Sequence, residues 1–178
     1  SRGLGDVYKR QILSDRPLNL PEMSHTSIEF VDLSKLKIAN CIGCFGCWTK
    51  TPGKCVIRDD AVKVYPRIAE SNRVLYISRV KYGSYDTVMK TVLERAIPIQ
   101  QAFIRLLHGE THHIQRNVVP KQATIIGYGE ISKEEQDIFR QLVIRNANNM
   151  NFEHYEVVLV SEDTLEQAVK EVLSAWEI

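Results

Sequence analysis

Short apolar runs rich in β-branched residues recur along the chain, and each is followed by a stretch that is apolar on one side only. Residues 27–33 (SIEFVDL) alternate apolar and polar side chains and predict a strand. The runs 73–78, 122–128 and 154–160 predict three more, the second of them more deeply buried. Helical spacing separates them. Val62, Val64, Tyr65 and Ile68 share a face within 60–70, and Val88, Met89, Val92 and Leu93 do so within 84–97, closed by Pro98. The box Ser132-Lys-Glu-Glu135 opens a helix over 132–149 that buries Ile138, Phe139, Leu142 and Val143. A last helix over 163–176 carries Leu165, Ala168, Val169, Val172 and Leu173. Strands alternating with helices predict an α/β fold, a doubly wound parallel sheet with helices on both faces. Ligands of such sheets bind beyond the carboxyl ends of the strands, so the loops after each strand are the informative ones.

The first eleven residues, SRGLGDVYKRQ, fit no structural period and resemble one reading frame of a transposon-based sequencing adapter. Residues 1–11 are therefore expected to be a non-native leader, and 12–178 a single domain with a cysteine-rich loop at 41–55. Without the leader the chain has 20 basic and 21 acidic residues. That balance gives no basic face for nucleic acid, and no apolar run approaches the roughly 20 residues that span a bilayer. A cytoplasmic setting is expected.

All four cysteines fall between 41 and 55, spaced C-x2-C-x2-C-x7-C as Cys41, Cys44, Cys47 and Cys55. Gly43 and Gly46 supply backbone freedom for the thiols to curl around one point, and Pro52-Gly53 turns the chain back toward them. Three closely spaced cysteines plus one more is the arrangement that holds a [4Fe–4S] cluster. Tetrahedral zinc is the alternative, although it more often takes two separated C-x2-C pairs. A redox dithiol at Cys44 and Cys47, or four metal-free thiols lining a turn, also match the spacing.

Cys41-Ile-Gly-Cys44-Phe-Gly-Cys47, followed by Gly53-Lys-Cys55 and Asp59-Asp60, resembles the flavodoxin-fold NADPH-dependent FMN reductases, and most of all their iron–sulfur flavoprotein branch. Residues 78–84 (SRVKYGS) stand where relatives carry a Ser-Pro-Val-Tyr-Trp-Gly type loop, with Met89, Lys90 and Leu93 matching the helix after it. Gly127-Tyr128-Gly129 is a weaker match. The resemblance spans most of 12–176. It implies a flavodoxin-like sheet with FMN at its carboxyl edge, contacted by Ser78, Arg79, Val80, Lys81, Tyr82, Gly83 and Ser84 and by Tyr128 and Gly129. It further implies an oxidoreductase that moves electrons between NAD(P)H, or a ferredoxin-type donor, and a small-molecule or protein acceptor. A homodimer is expected by the same analogy. The second functional class is an electron carrier or partner-binding module that keeps a cysteine-bound metal and has no FMN.

Relatives begin with a strand, Gly-Ser-Pro-Arg and a helix whose N-terminus holds the phosphate. This chain has Ile12-Leu-Ser-Asp-Arg-Pro17 and then nine residues, 18–26, before the next strand. A parallel crossover usually takes a dozen or more, so the first strand and helix are expected to be truncated or degenerate. Residues 21–25 have room for about one turn, and Asp15 would repel a phosphate. Arg79, where relatives tend to have proline, and Lys81 place two cations near a flavin ring, where they would favour its anionic reduced form. His108, His112 and His113 are expected in a loop between helical stretches, as surface residues or as a cover for the flavin face. Asp59 and Asp60 are expected to cap the following helix.

Overall fold

The computed structural model describes residues 9–20 and 28–176. Residues 1–8 of the expected leader and the single turn expected at 21–25 lie outside the described residues.

Strand β1 (Arg10–Ser14) is the second strand of the main sheet, which runs β2 (Ile28–Asp32), β1, β3 (Arg73–Lys81), β7 (Lys121–Tyr128), β8 (Phe152–Val160), all parallel. This is the flavodoxin-like order, with the reversal of strand order next to β1 and β3. Arg10 and Gln11, assigned to the leader by sequence, form the first two residues of β1, opposite Arg73 and Val74 of β3. Gln11 is fully buried and neither of its amide atoms finds a hydrogen bond among the described residues. A buried amide in that state is costly in a strand covered on both faces.

Side chains alternate across the sheet as the pleat requires. Leu13, Val74, Tyr76, Ala123 and Ile125 face α2 (Ala61–Glu70), α3 (Thr87–Glu94) and α4 (Lys133–Met150). Ile12, Leu75, Ile77 and Ile126 face α5 (Leu165–Ser174) and Trp176, with Leu18 and Leu20 packed alongside. Among the described residues no helix joins β1 to β2, and those that pack on the second face come from α5, Trp176 and the stretch carrying Leu18 and Leu20. A four-residue helix, α1 (Gly46–Thr49), lies inside the cysteine segment.

Two hairpins depart from the expected helices and loops. β3 runs on past Ser78 to Lys81 and turns through Tyr82 and Gly83 into β4 (Ser84–Tyr85). Residues 100–115 form β5 (Gln100–Leu107) and β6 (Glu110–Gln115), an antiparallel pair joined at His108–Gly109. The histidines expected in a loop therefore stand on a hairpin. His108 is in its turn, and His112 and His113 are in β6. Both turns have positive φ at their two central residues, 52° and 69° in the first and 50° and 78° in the second, as the type I′ turn demands. Among the described residues no helix is long and apolar enough to cross a membrane.

Candidate redox site

The cysteine segment is held at its base before its thiols come into play. The Asp60 carboxylate accepts the Lys37 N–H at 3.0 Å, and Asp59 accepts the Ala39 N–H at 2.8 Å, tying the chain entering the loop to the chain leaving it. Of the two acids expected to cap α2, Asp59 does so through the Ala61 N–H, at 3.1 Å, while Asp60 spends its side chain on Lys37 and Lys63. Within the loop Gly43 has φ of +64°, and Phe45, not Gly46, takes the next left-handed position at +54°. Gly46 serves by its size: a Cβ there would meet Val56 Cγ1 at 3.0 Å and Cys44 Sγ at 3.5 Å. Gly53, at φ +80°, reverses the chain with its N–H donated to the Cys47 carbonyl at 2.9 Å.

The outcome is a cavity lined by Cys41, Cys44, Cys47 and Cys55 together, with Ile42, Phe45, Val56, Ile57, Ile97 and Pro98 as apolar walls. All four are free thiols, two exposed and two half-buried. Burial pushes the Cys47 thiol up, and the charges of Cys55, Cys41 and Cys44 add to that, as expected of sulfurs that face one another. Among the described residues no three or more His, Cys, Asp or Glu side chains are drawn into a preformed ligand set. The donor chemistry nevertheless suits a thiophilic centre: four thiols line one largely apolar hollow, with Glu94 and Arg95 as its other polar residues. Arg95, just past α3, is 1% exposed and enters this cavity from below, its Nη2 3.4 Å from Cys55 Sγ. Sequence reading did not single it out, because an Arg closing a helix is ordinarily a solvated residue.

The second group lies at the carboxyl ends of β1, β3, β7 and β8. Asp15, directly after β1, accepts the Arg79 N–H at 2.7 Å and the Tyr128 hydroxyl at 2.9 Å. Burial pushes the Asp15 carboxyl up, against the pull of those hydrogen bonds. Burial and the Asp15 charge push Tyr128 up to about 12. Arg16 and Arg79 both reach Glu162, each at 2.7 Å, and their guanidinium groups lie 5.7 and 5.0 Å from the Tyr128 ring centroid. The two arginines hold the Glu162 carboxyl below its usual range.

Of the residues expected around a flavin, Ser78, Arg79, Val80 and Lys81 end β3, Tyr82 and Gly83 form its turn, and Ser84 opens β4. Tyr128 ends β7 beside Arg79, and Gly129 follows it at φ +127°. Tyr82 is 89% exposed. The Tyr82 N–H is donated to Glu135 at 2.9 Å, the same glutamate that closes the capping box of α4 with Ser132. Lys81 pairs with Asp86 at 3.7 Å. An FMN would find here two arginines for its phosphate, tyrosines for its ring and the strand ends of the switch point. These residues fit the group, while the Arg79 and Tyr82 N–H donors are engaged by the chain's own carboxylates. Neither Asp15 in this role, nor Glu162, nor the bond of Glu135 to the Tyr82 N–H was legible in sequence, because each joins residues far apart along the chain.

No family model matches the chain. It is 37% identical over 84 residues, 47% of its length, to an iron–sulfur flavoprotein of Archaeoglobus fulgidus. It is 31% identical over 75 residues, 42% of its length, to an iron–sulfur flavoprotein of Methanocaldococcus jannaschii. These matches cover 37% and 38% of the relatives' own length, well under half. A solved FMN-dependent NADH-azoreductase of Bacillus anthracis, in complex with FMN, superposes with a TM-score of 0.53 at 13% identity, over 94% of this chain and 98% of that one. The chain has the flavodoxin-like fold, and its sequence relatives are iron–sulfur flavoproteins. The described residues between β1 and β2 contain no helix; Asp15 and Arg16 directly follow β1, with Asp15 on the Arg79 N–H and Arg16 on Glu162.

Proposed function

We propose that the protein is a flavin-dependent oxidoreductase in which Cys41, Cys44, Cys47 and Cys55 hold a [4Fe–4S] cluster. The observation that carries this reading is the single cavity lined by all four free thiols, on a chain whose relatives are iron–sulfur flavoproteins. FMN at the carboxyl edge would supply two-electron chemistry with NAD(P)H and one-electron exchange with a cluster. The chain's own part is placement. Arg16 and Arg79 would hold the phosphate in place of a helix N-terminus, giving up Glu162 to do so. Tyr128 and the exposed Tyr82 would border the ring. Helix α3 links the two centres: it starts beyond the Tyr82–Gly83 turn and β4, ends just before Arg95, and its eight residues rise about 12 Å.

A second reading has its own support. Asp15 and Glu135 occupy two N–H groups of the 78–84 turn, which suits an electron carrier or partner-binding module with a cysteine-bound metal and no FMN. Titration with FMN and with riboflavin separates the two. The first reading expects FMN to bind and the Arg16→Ala/Arg79→Ala variant to weaken FMN about tenfold, with riboflavin, which has no phosphate, unaffected. Absence of FMN binding to the full chain would leave the carrier reading standing.

A further inference from the structure

The base of the cysteine loop converges on one side chain. Arg95 donates from Nη1 to the Ala39 carbonyl and to Asp59 Oδ2, both at 2.7 Å. From Nη2 it donates to Asp59 Oδ1 at 3.0 Å, to the Ile57 carbonyl at 3.4 Å and to Cys55 Sγ at 3.4 Å. Ala39 lies just before Cys41, while Ile57 and Asp59 lie just after Cys55, so a single guanidinium gathers both ends of the loop. Its own place is fixed by its backbone, whose N–H closes α3 on the Thr91 and Leu93 carbonyls. The planar fork is what allows this: a lysine ammonium could not hold the bidentate carboxylate and still reach a sulfur. Asp59 is answered in turn by the Ala39 and Ala61 N–H groups.

The geometry points to Arg95 as the positioning residue of the four-thiol centre, setting the register of the loop's two ends and donating an N–H···S hydrogen bond to Cys55. This inference rests on the reading of the cysteines as a metal site and adds a residue outside the ligand set. A four-thiolate centre concentrates negative charge in a hollow whose lining adds the Glu94 carboxylate to mostly apolar walls, and Arg95 is the cation whose fork touches it. Hydrogen bonds to ligand sulfurs raise the reduction potential of an iron–sulfur centre, so loss of this one lowers it.

The test uses the full chain, with Co2+ as the probe of the thiol site and with the reconstituted cluster for potentiometry. Arg95→Lys keeps the charge and loses the fork. Arg95→Gln/Asp59→Asn removes both charges at once, so that neither is left buried alone. Circular dichroism reports whether each variant folds. The expected result is about tenfold weaker cobalt binding in folded Arg95→Lys and a more negative cluster potential. Folded variants with unchanged cobalt affinity and potential would overturn the role of Arg95 and leave the metal site intact. A wild-type chain that takes up neither cobalt nor iron would overturn the metal reading itself, and this inference with it. Should Arg95→Lys fail to fold, the double variant decides by the same readouts.

Discussion

Lys121 sits where a lysine is rarely found. It is 1% exposed at the start of β7, with its ammonium donated to the Val119 carbonyl at 2.7 Å and to the Met150 carbonyl, at the end of α4, at 3.4 Å. Burial lowers it from 10.5 to about 7. In the unfolded chain the group keeps its proton up to the ordinary value, so between pH 7 and 10.5 the unfolded state binds more protons than the native one. Stability contributed by this residue therefore rises as pH rises through that window, by an amount on the order of a few kcal/mol. Denaturant melts between pH 7 and 9 should show this rise in the wild type and a flatter profile in Lys121→Met. Parallel profiles in the two proteins would contradict the assignment.

Elements obey local rules that differ in how plainly a sequence displays them. The helices were legible because apolar residues repeat at helical spacing and because Ser132 and Glu135 announce a start, which the structure realises as a reciprocal capping box. The central strands were legible as β-branched runs. The two hairpins were not, since their turns use Tyr82-Gly83 and His108-Gly109 in place of the Asn-Gly or Asp-Gly pair that advertises a type I′ turn. The first strand was hidden because it begins inside a segment that resembles an adapter, and Arg10 and Gln11 give it little strand character. In the site, the spacing of the cysteines displayed the donor set. The staple at Arg95 and the carboxylates at Asp15, Glu135 and Glu162 depend on contacts that only the folded chain makes. At Gly83 the element rule gives a direct test. An alanine there must adopt φ near +69°, and its Cβ would lie 2.5 Å from Ile138 Cγ2. Gly83→Ala should cost about 2 kcal/mol, read as a lower denaturation midpoint. An unchanged midpoint would mean that the turn tolerates a side chain and that α4 does not pin it.

Across the molecule, the sheet order places two groups of chemistry at the two ends of α3. The switch-point edge gathers Asp15, Arg16, Arg79, Tyr128 and Glu162, and the loop after β2 gathers the four thiols on the far side of the helix. The β5–β6 hairpin backs that loop: the His113 ring lies 4.5 Å from the Trp48 ring, and His112 is held by Glu110 and Asn149. The measurement that bears most directly on this arrangement is iron and acid-labile sulfide in protein prepared and reconstituted without oxygen, taken with its visible spectrum. The prediction is iron and sulfide in equal amounts, a broad iron–sulfur absorption, and loss of both in Cys44→Ala. Reconstituted protein that holds only zinc, or that keeps four alkylatable thiols and no iron, would contradict it.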